Sequence, residues 1–216
     1  MKSIGVRVYA FFGVLALSAL ACSTLSAGNL PAASLLKDDF SDSASGWGTG
    51  TDAASSVEYA GGGLKMIVYQ PRYVTWSTPD AEVYENVHVE ISVNNESSDP
   101  QAFFGIVCDE QGSTSSFYYV GLSSEGYYAF IKSTDGQEDE YLKEGTSDAI
   151  SAATSPIQLG LDCGNGALAL YVNGQQIDSV SDAAYTSGGV GIFVGSDDQE
   201  SGATVTFDDF VLTKLK

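Results

Sequence analysis

The sequence predicts an all-β protein, two antiparallel sheets packed face to face as a sandwich. Three observations predict it. Short runs alternate apolar and polar residues with a period of two, the pattern of a half-buried strand. Turn residues punctuate those runs, with glycine abundant (24) and proline scarce (5). No segment beyond the N-terminal leader carries a long helical period. The chain of 216 residues is long enough for one domain, or two small ones, with a real hydrophobic core.

The first element is not part of the domain. MKSIGVRV carries Lys2 and Arg7, YAFFGVLALSALA follows as an apolar run too short to span a bilayer comfortably, and small residues lead into Cys22. This is an export signal; a buried core helix would not sit beside a basic N-terminus without a polar face. SALAC, Ser18 to Cys22, resembles the lipobox of bacterial lipoproteins, whose cysteine is lipidated and becomes the first mature residue. Ala19 and Leu20 depart from the commonest form of that motif, and the alternative is an ordinary cleavage site nearby. Lipidation of Cys22 is the reading adopted here, because a cysteine directly after the apolar run is otherwise an odd choice. Several acyl chains on one residue would then hold the protein at a membrane surface. Residues 23–36, STLSAGNLPAASLL, read as a tether, and globular sequence is expected from Lys37 to Lys216.

Charge narrows the partners. Setting aside Lys2 and Arg7 takes the formal charge from −19 to near −21. That sign excludes nucleic acid, which needs a basic footprint, and direct binding of anionic lipid headgroups. It suits a soluble, monomeric exported protein and leaves carboxylates available to divalent cations.

The strands follow in order. VHVEISV (Val87 to Val93) points Val87, Val89, Ile91 and Val93 inward and His88, Glu90 and Ser92 outward. Phe103–Cys108 comes next. Phe117–Leu122 and Tyr127–Lys132 are joined by Ser-Ser-Glu-Gly. Ile157–Cys163, Ala167–Val172 and Gln175–Val180 form a meander whose Asn173-Gly174 turn supplies the positive φ of a type I′ hairpin. Val190–Gly195 and Thr204–Thr213 close the chain, and only Ser147–Ala153 suggests a helical turn. Phe104, Ile106 and Cys108 share a face, as do Ile157, Leu159, Leu161 and Cys163. The two cysteines are therefore expected in the core, on strands that could be neighbours. In an exported protein a Cys108–Cys163 disulfide is favoured over two buried thiols packing as small apolar groups.

KDDFSDSASGWG, FFGIVC, FYYVGLSSEGYYAF, LALYVNGQQI and GGVGIFVGS…VTFDDFVL, in that order, resemble the concanavalin A-like lectin/glucanase superfamily, above all the laminin-G-like domains of bacterial surface lipoproteins. The resemblance covers nearly all of Lys37–Lys216. It implies a jelly-roll sandwich whose first and last strands lie side by side. It implies carbohydrate or surface-polymer binding as the commonest function, with glycoside hydrolysis in some branches.

The residues give little to catalysis. The superfamily's hydrolases carry Glu-x-Asp-x-x-Glu on one strand face, and no such motif occurs here. Glu138 and Glu140 have an i, i+2 relation but lie among other charges after a turn, as a solvated edge would. His88 is the single histidine, and Gly121–Gly126 is one residue off a nucleophile elbow and joins two strands, where an elbow needs a helix. For calcium, Asp38, Asp39, Asp208 and Asp209 become candidates if the terminal strands pair as the resemblance implies; otherwise they bond local backbone amides. Asp197-Asp198-Gln199-Glu200 is a weaker candidate.

The tyrosines carry the binding hypothesis. If Leu122 pairs with Tyr127, one face of the hairpin holds Tyr118, Val120, Leu122, Tyr127, Ala129 and Ile131. The other holds Phe117, Tyr119, Gly121, Tyr128, Phe130 and Lys132, with a ring over Gly121. The first face is the more aliphatic and is expected in the core. Phe103, Tyr119 and Tyr128 would then form an aromatic floor for a ligand, unless loops cover those rings. Trp47 is expected to plug one end of the sandwich. The sequence thus points to a non-catalytic β-sandwich, lipid-anchored outside the cytoplasm, that binds a glycan or another cell-envelope polymer. A hydrolase of the same fold and a docking or structural module of the envelope are the alternatives.

Overall fold

The computed structural model describes residues 33–79, 82–112, 114–197 and 202–215. The leader, Cys22 and the tether up to residue 32 lie outside these, as do residues 198–200 of the acidic loop. The described strands, in order, are β1 (Ser34–Asp38), β2 (Gly50–Thr51), β3 (Ser55–Ala60), β4 (Gly63–Val68), β5 (Tyr73–Ser77), β6 (Val87–Asn95), β7 (Phe103–Glu110), β8 (Phe117–Leu122), β9 (Tyr127–Ser133) and β10 (Glu140–Thr146). After the short helix α1 (Asp148–Ser151) come β11 (Ile157–Gly164), β12 (Ala167–Val172), β13 (Gln175–Ser181), β14 (Gly189–Ser196) and β15 (Ala203–Lys214). Ser34–Leu36, read above as the end of the tether, belong to β1, because their backbone pairs with Leu212 and Thr213.

Two antiparallel sheets form the sandwich. The larger runs β13-β12-β11-β6-β15-β4-β3-β2; along one side of β15, β4 pairs its first half and β1 its second. The smaller runs β10-β9-β8-β7-β14-β5. The first and last strands do lie side by side. Alternation drives the packing: Val87, Val89, Ile91 and Val93 are all buried, as are Phe104, Ile106 and Cys108 on the opposing sheet. Asn173 (φ 50°) and Gly174 (φ 76°) make the tight β12–β13 turn with both central residues at positive φ. In β15 a bulge at Asp208-Asp209, with Asp209 at φ 51°, turns the strand so that Phe207 and Phe210 both enter the core. Trp47 plugs that end as expected. Its ring lies 5.1 Å from Phe40 and 5.0 Å from Phe210, and its Nε1–H donates to Asp38 (2.9 Å).

Cys108 and Cys163 are bonded. Their strands are not hydrogen-bonded neighbours: β7 belongs to the smaller sheet and β11 to the larger, so the disulfide crosses the core.

The β8–β9 register differs from the expected one. Leu122 pairs with Tyr128, and Gly121 with Ala129. Ser123 N–H donates to Tyr127 O (2.9 Å), and Gly126 at φ 100° closes a three-residue loop in place of the four-residue turn expected. A shift of one residue exchanges the two faces of a strand. Tyr128 and Phe130 therefore face the core, and Tyr127, Ala129 and Ile131 face outward.

Candidate functional site: an aromatic groove on the smaller sheet

The outer face of the smaller sheet carries a second, small apolar cluster. Phe193 of β14 is fully buried there, although it points away from the main core. Its ring lies over Gly105 and Gly121; a Cβ on either would approach it to 2.9 or 2.7 Å. Tyr119 (5.2 Å) and Phe103 (5.4 Å) cover Phe193, and Ile131 packs beside them. Tyr119 is itself only 6% exposed, and its hydroxyl donates to Asp139. It lines the base of the groove, with little of its ring face open.

Above that base opens a groove of about 500 Å³. Phe103, Tyr127, Tyr141 and Val74 supply its apolar walls, and Gln101, Ser123, Thr146, Ser196, Glu125 and Asp197 its polar groups. Tyr127 stands 6.0 Å from Phe103 and donates its hydroxyl to Glu144 (2.6 Å). Tyr141 is 59% exposed. Burial first, and the bond to Glu144 next, hold the Tyr127 phenol well above its usual range. Burial and then the charges of Asp139, Asp197 and Glu144 push Tyr141 up as well. Both side chains stay neutral hydrogen-bonding groups at any physiological pH.

Of the three expected floor residues, the structure brings Phe103 and Tyr119 together and places Tyr128 elsewhere. Tyr128 faces the core, lies against Gly145, and donates to Asp178 (2.7 Å). Tyr127 takes the position expected of Tyr128, for the reason of register given above. Phe193 was missed, although the alternation of GGVGIFVGS sets it opposite the buried Ile192 and Val194. Tyr141, Gln101 and Thr146 carried no signal, since long-range pairing alone brings them to the groove.

The four aspartates do not converge on a common point. Asp38 accepts from Phe40 N–H (2.8 Å) and Trp47, Asp39 from Ser41 (N–H 3.1 Å, hydroxyl 2.6 Å), and Asp208 from Asp209 N–H (2.7 Å). The carboxylates of Asp38, Asp39 and Asp208 each accept a bond from a backbone N–H one or two residues on, the local alternative to a calcium site. Among the described residues the one close group of potential metal ligands is Cys108, Asp109 and Cys163, and both its thiols are oxidised to the disulfide. Glu138 is exposed and Glu140 pairs with Lys132 (2.8 Å); neither lines the groove.

His88 lies on the outer face of the larger sheet, in a network that is satisfied from within. Its Nδ1 meets Asp162 (2.6 Å), Asp162 accepts from Tyr171 (2.8 Å), and its Nε2 faces Glu90 (3.3 Å). The bond to Asp162 raises the imidazole's pKa against the opposing effect of burial.

No protein-family model matches the chain, and no curated protein does. Solved structures match it closely in shape. A protein of unknown function with a galectin-like fold from Bacillus subtilis superposes with a TM-score of 0.63 at 12% identity, covering 84% of this chain and 96% of that one. The chain has a concanavalin A-like fold. The carbohydrate-binding module CBM66 from Bacillus subtilis gives 0.60 at 13% identity, with 78% and 96% covered. A Bacillus licheniformis β-glucanase gives 0.59 at 13%, with 83% and 97% covered. At such low identity the superpositions show the concanavalin A-like architecture alone and leave function to the site.

Proposed function

We propose that this concanavalin A-like domain is a non-catalytic saccharide-binding module. It acts outside the cytoplasm, where a lipid on Cys22 holds it to a membrane. The observation that carries the reading is the open groove on the smaller sheet. Aromatic walls from Phe103, Tyr127 and Tyr141 stand beside amide and hydroxyl groups from Gln101, Ser123, Thr146 and Ser196. Ring faces stack on the apolar side of a sugar while such groups bond its hydroxyls. Among the similar structures are a carbohydrate-binding module and a β-glucanase, which supports the same ligand class. The cross-sheet disulfide supports an oxidising compartment.

A glycan array with the mature chain tests this. Phe103→Ala and Tyr127→Ala are expected to reduce binding roughly five- to thirtyfold each, since one stacked ring contributes on the order of 1–2 kcal/mol. Tyr128→Phe removes only a hydroxyl on the core side and is expected to leave binding unchanged, as is EDTA. Binding untouched by both groove substitutions, or hydrolysis of any bound glycan, overturns the reading.

A further inference from the structure

The groove is apolar in its walls and acidic in its charge. Glu125 lines it, with Gln101 Nε2 3.4 Å from its carboxylate. Glu144 stands at the Tyr127 hydroxyl and Asp139 at the Tyr119 hydroxyl. Asp197 lines the same groove, and its charge acts on both Tyr127 and Tyr141. No lysine, arginine or histidine is among the described lining residues. Two lysines of this sheet are committed on its other face: Lys132 bonds Glu140 and Asp182, and Lys143 bonds Asp178. Beside the groove, Arg72 N–H donates to the Asp197 carbonyl (2.7 Å).

Aromatic faces with carboxylates behind them are the arrangement that selects a cation. The negative face of a ring attracts an ammonium within about 6 Å, and a carboxylate nearby adds a charge-assisted hydrogen bond. A neutral sugar gains the stacking and the bonds to its hydroxyls but no attraction of charge. A uronate, phosphate or sulfate brought to the same walls meets like charge on a partly desolvated surface. We propose that the saccharide taken by this groove bears free amines, as a hexosamine polymer without N-acyl groups does, with an ammonium seated between Tyr127, Tyr141 and the Glu125 and Glu144 carboxylates. This inference rests on the saccharide-binding reading above and narrows it.

The test is calorimetric titration of the mature chain near pH 5.5, where amines are cationic and ordinary carboxylates ionised. The probes are a glucosamine hexamer, its fully N-acetylated counterpart, a galacturonate hexamer and hexalysine. The glucosamine hexamer is expected to bind at least about tenfold more tightly than the acetylated one, with an affinity that falls as salt is raised, and galacturonate not at all. Glu125→Gln together with Glu144→Gln is expected to bring the two hexosamine oligomers to within about threefold of each other. Phe103→Ala with Tyr127→Ala is expected to abolish binding of both. Equal or tighter binding of the acetylated hexamer, or binding of galacturonate, overturns the amine selectivity and leaves saccharide binding standing. Glucosamine binding that survives loss of the two rings is attraction to the acidic surface at large, and it overturns the site. Binding of hexalysine alone, or of no probe here and no glycan on the array, overturns both proposals.

Discussion

Asp109 occupies the left-handed region (φ 52°), with its carboxyl buried within 4.8 Å of the Cys108 and Cys163 sulfurs. No hydrogen bond from a described residue reaches that carboxyl, and desolvation pushes its pKa up to about 6. An unfolded aspartate ionises near pH 4, so between roughly 4 and 6 the native state binds more protons. Stability therefore falls as pH rises through that window and stays lowered above it. Asp109→Asn keeps the shape and tolerates the same φ. It is expected to gain about 2 kcal/mol over the parent at pH 7.5 and nothing at pH 4, read by urea denaturation. Equal stability at both pH values would show a carboxylate that is already compensated.

His88 adds to the same trend at higher pH. Its folded pKa is raised, so its contribution is complete below about 6.5 and is lost as pH climbs through the folded value. His88→Gln should cost about 1 kcal/mol at pH 6 and almost nothing at pH 9. As the chain's single histidine, its ring protons can be followed directly by NMR.

At the scale of elements, the open edges of the two sheets are laced together. Lys143 of β10 bonds Asp178 of β13 (2.6 Å), which also accepts from Tyr128 of β9. Beside it, Tyr118 and Lys132 bond Asp182. The Lys143 bond first, and the Tyr128 bond next, lower the Asp178 carboxyl to about 2. Its contribution is therefore present above pH 4 and disappears as pH falls toward 2. Solvent screens this edge, so Asp178→Asn is expected to cost only about 1 kcal/mol. Hydrogen exchange should show β13 opening faster while β6 and β11 are unchanged; uniform acceleration would contradict a local lace.

The elements legible in the sequence were those with a clean period of two. β6 to β9 and β11 to β15 begin within a residue of where alternation places them. β2, β3 and β5 were not legible, because short strands rich in Ser, Gly and Tyr alternate weakly; β4 was missed although Leu64, Met66 and Val68 alternate into the core. β10 (EYLKEGT) is an edge strand exposed along most of its length, and it has no apolar face to announce it. The hairpin turn failed for a different reason: the letters SSEG fit a three- or a four-residue loop, and one residue decides which tyrosine reaches the groove.

At the scale of the whole molecule, the disulfide is the covalent tie between sheets among the described residues. It closes a span of 55 residues, for which chain entropy gives about 4 kcal/mol. Cys108→Ala with Cys163→Ala should lower stability by up to that amount in chemical denaturation, with the outer-face groove retained. A loss below about 1 kcal/mol would mean that packing alone holds the sheets together.

By itself the sequence determined an all-β chain with an acidic surface, two core cysteines and most strand positions. These are local properties: alternation, turn chemistry and charge act within a few residues. The tertiary structure decided the β8–β9 register, the dispersal of the aspartates into separate turns, and the meeting of Phe103, Tyr127, Tyr141 and Gln101 around one groove. Those outcomes depend on pairing between strands far apart in the chain, where a shift of a single residue costs little locally and turns every side chain to the other face.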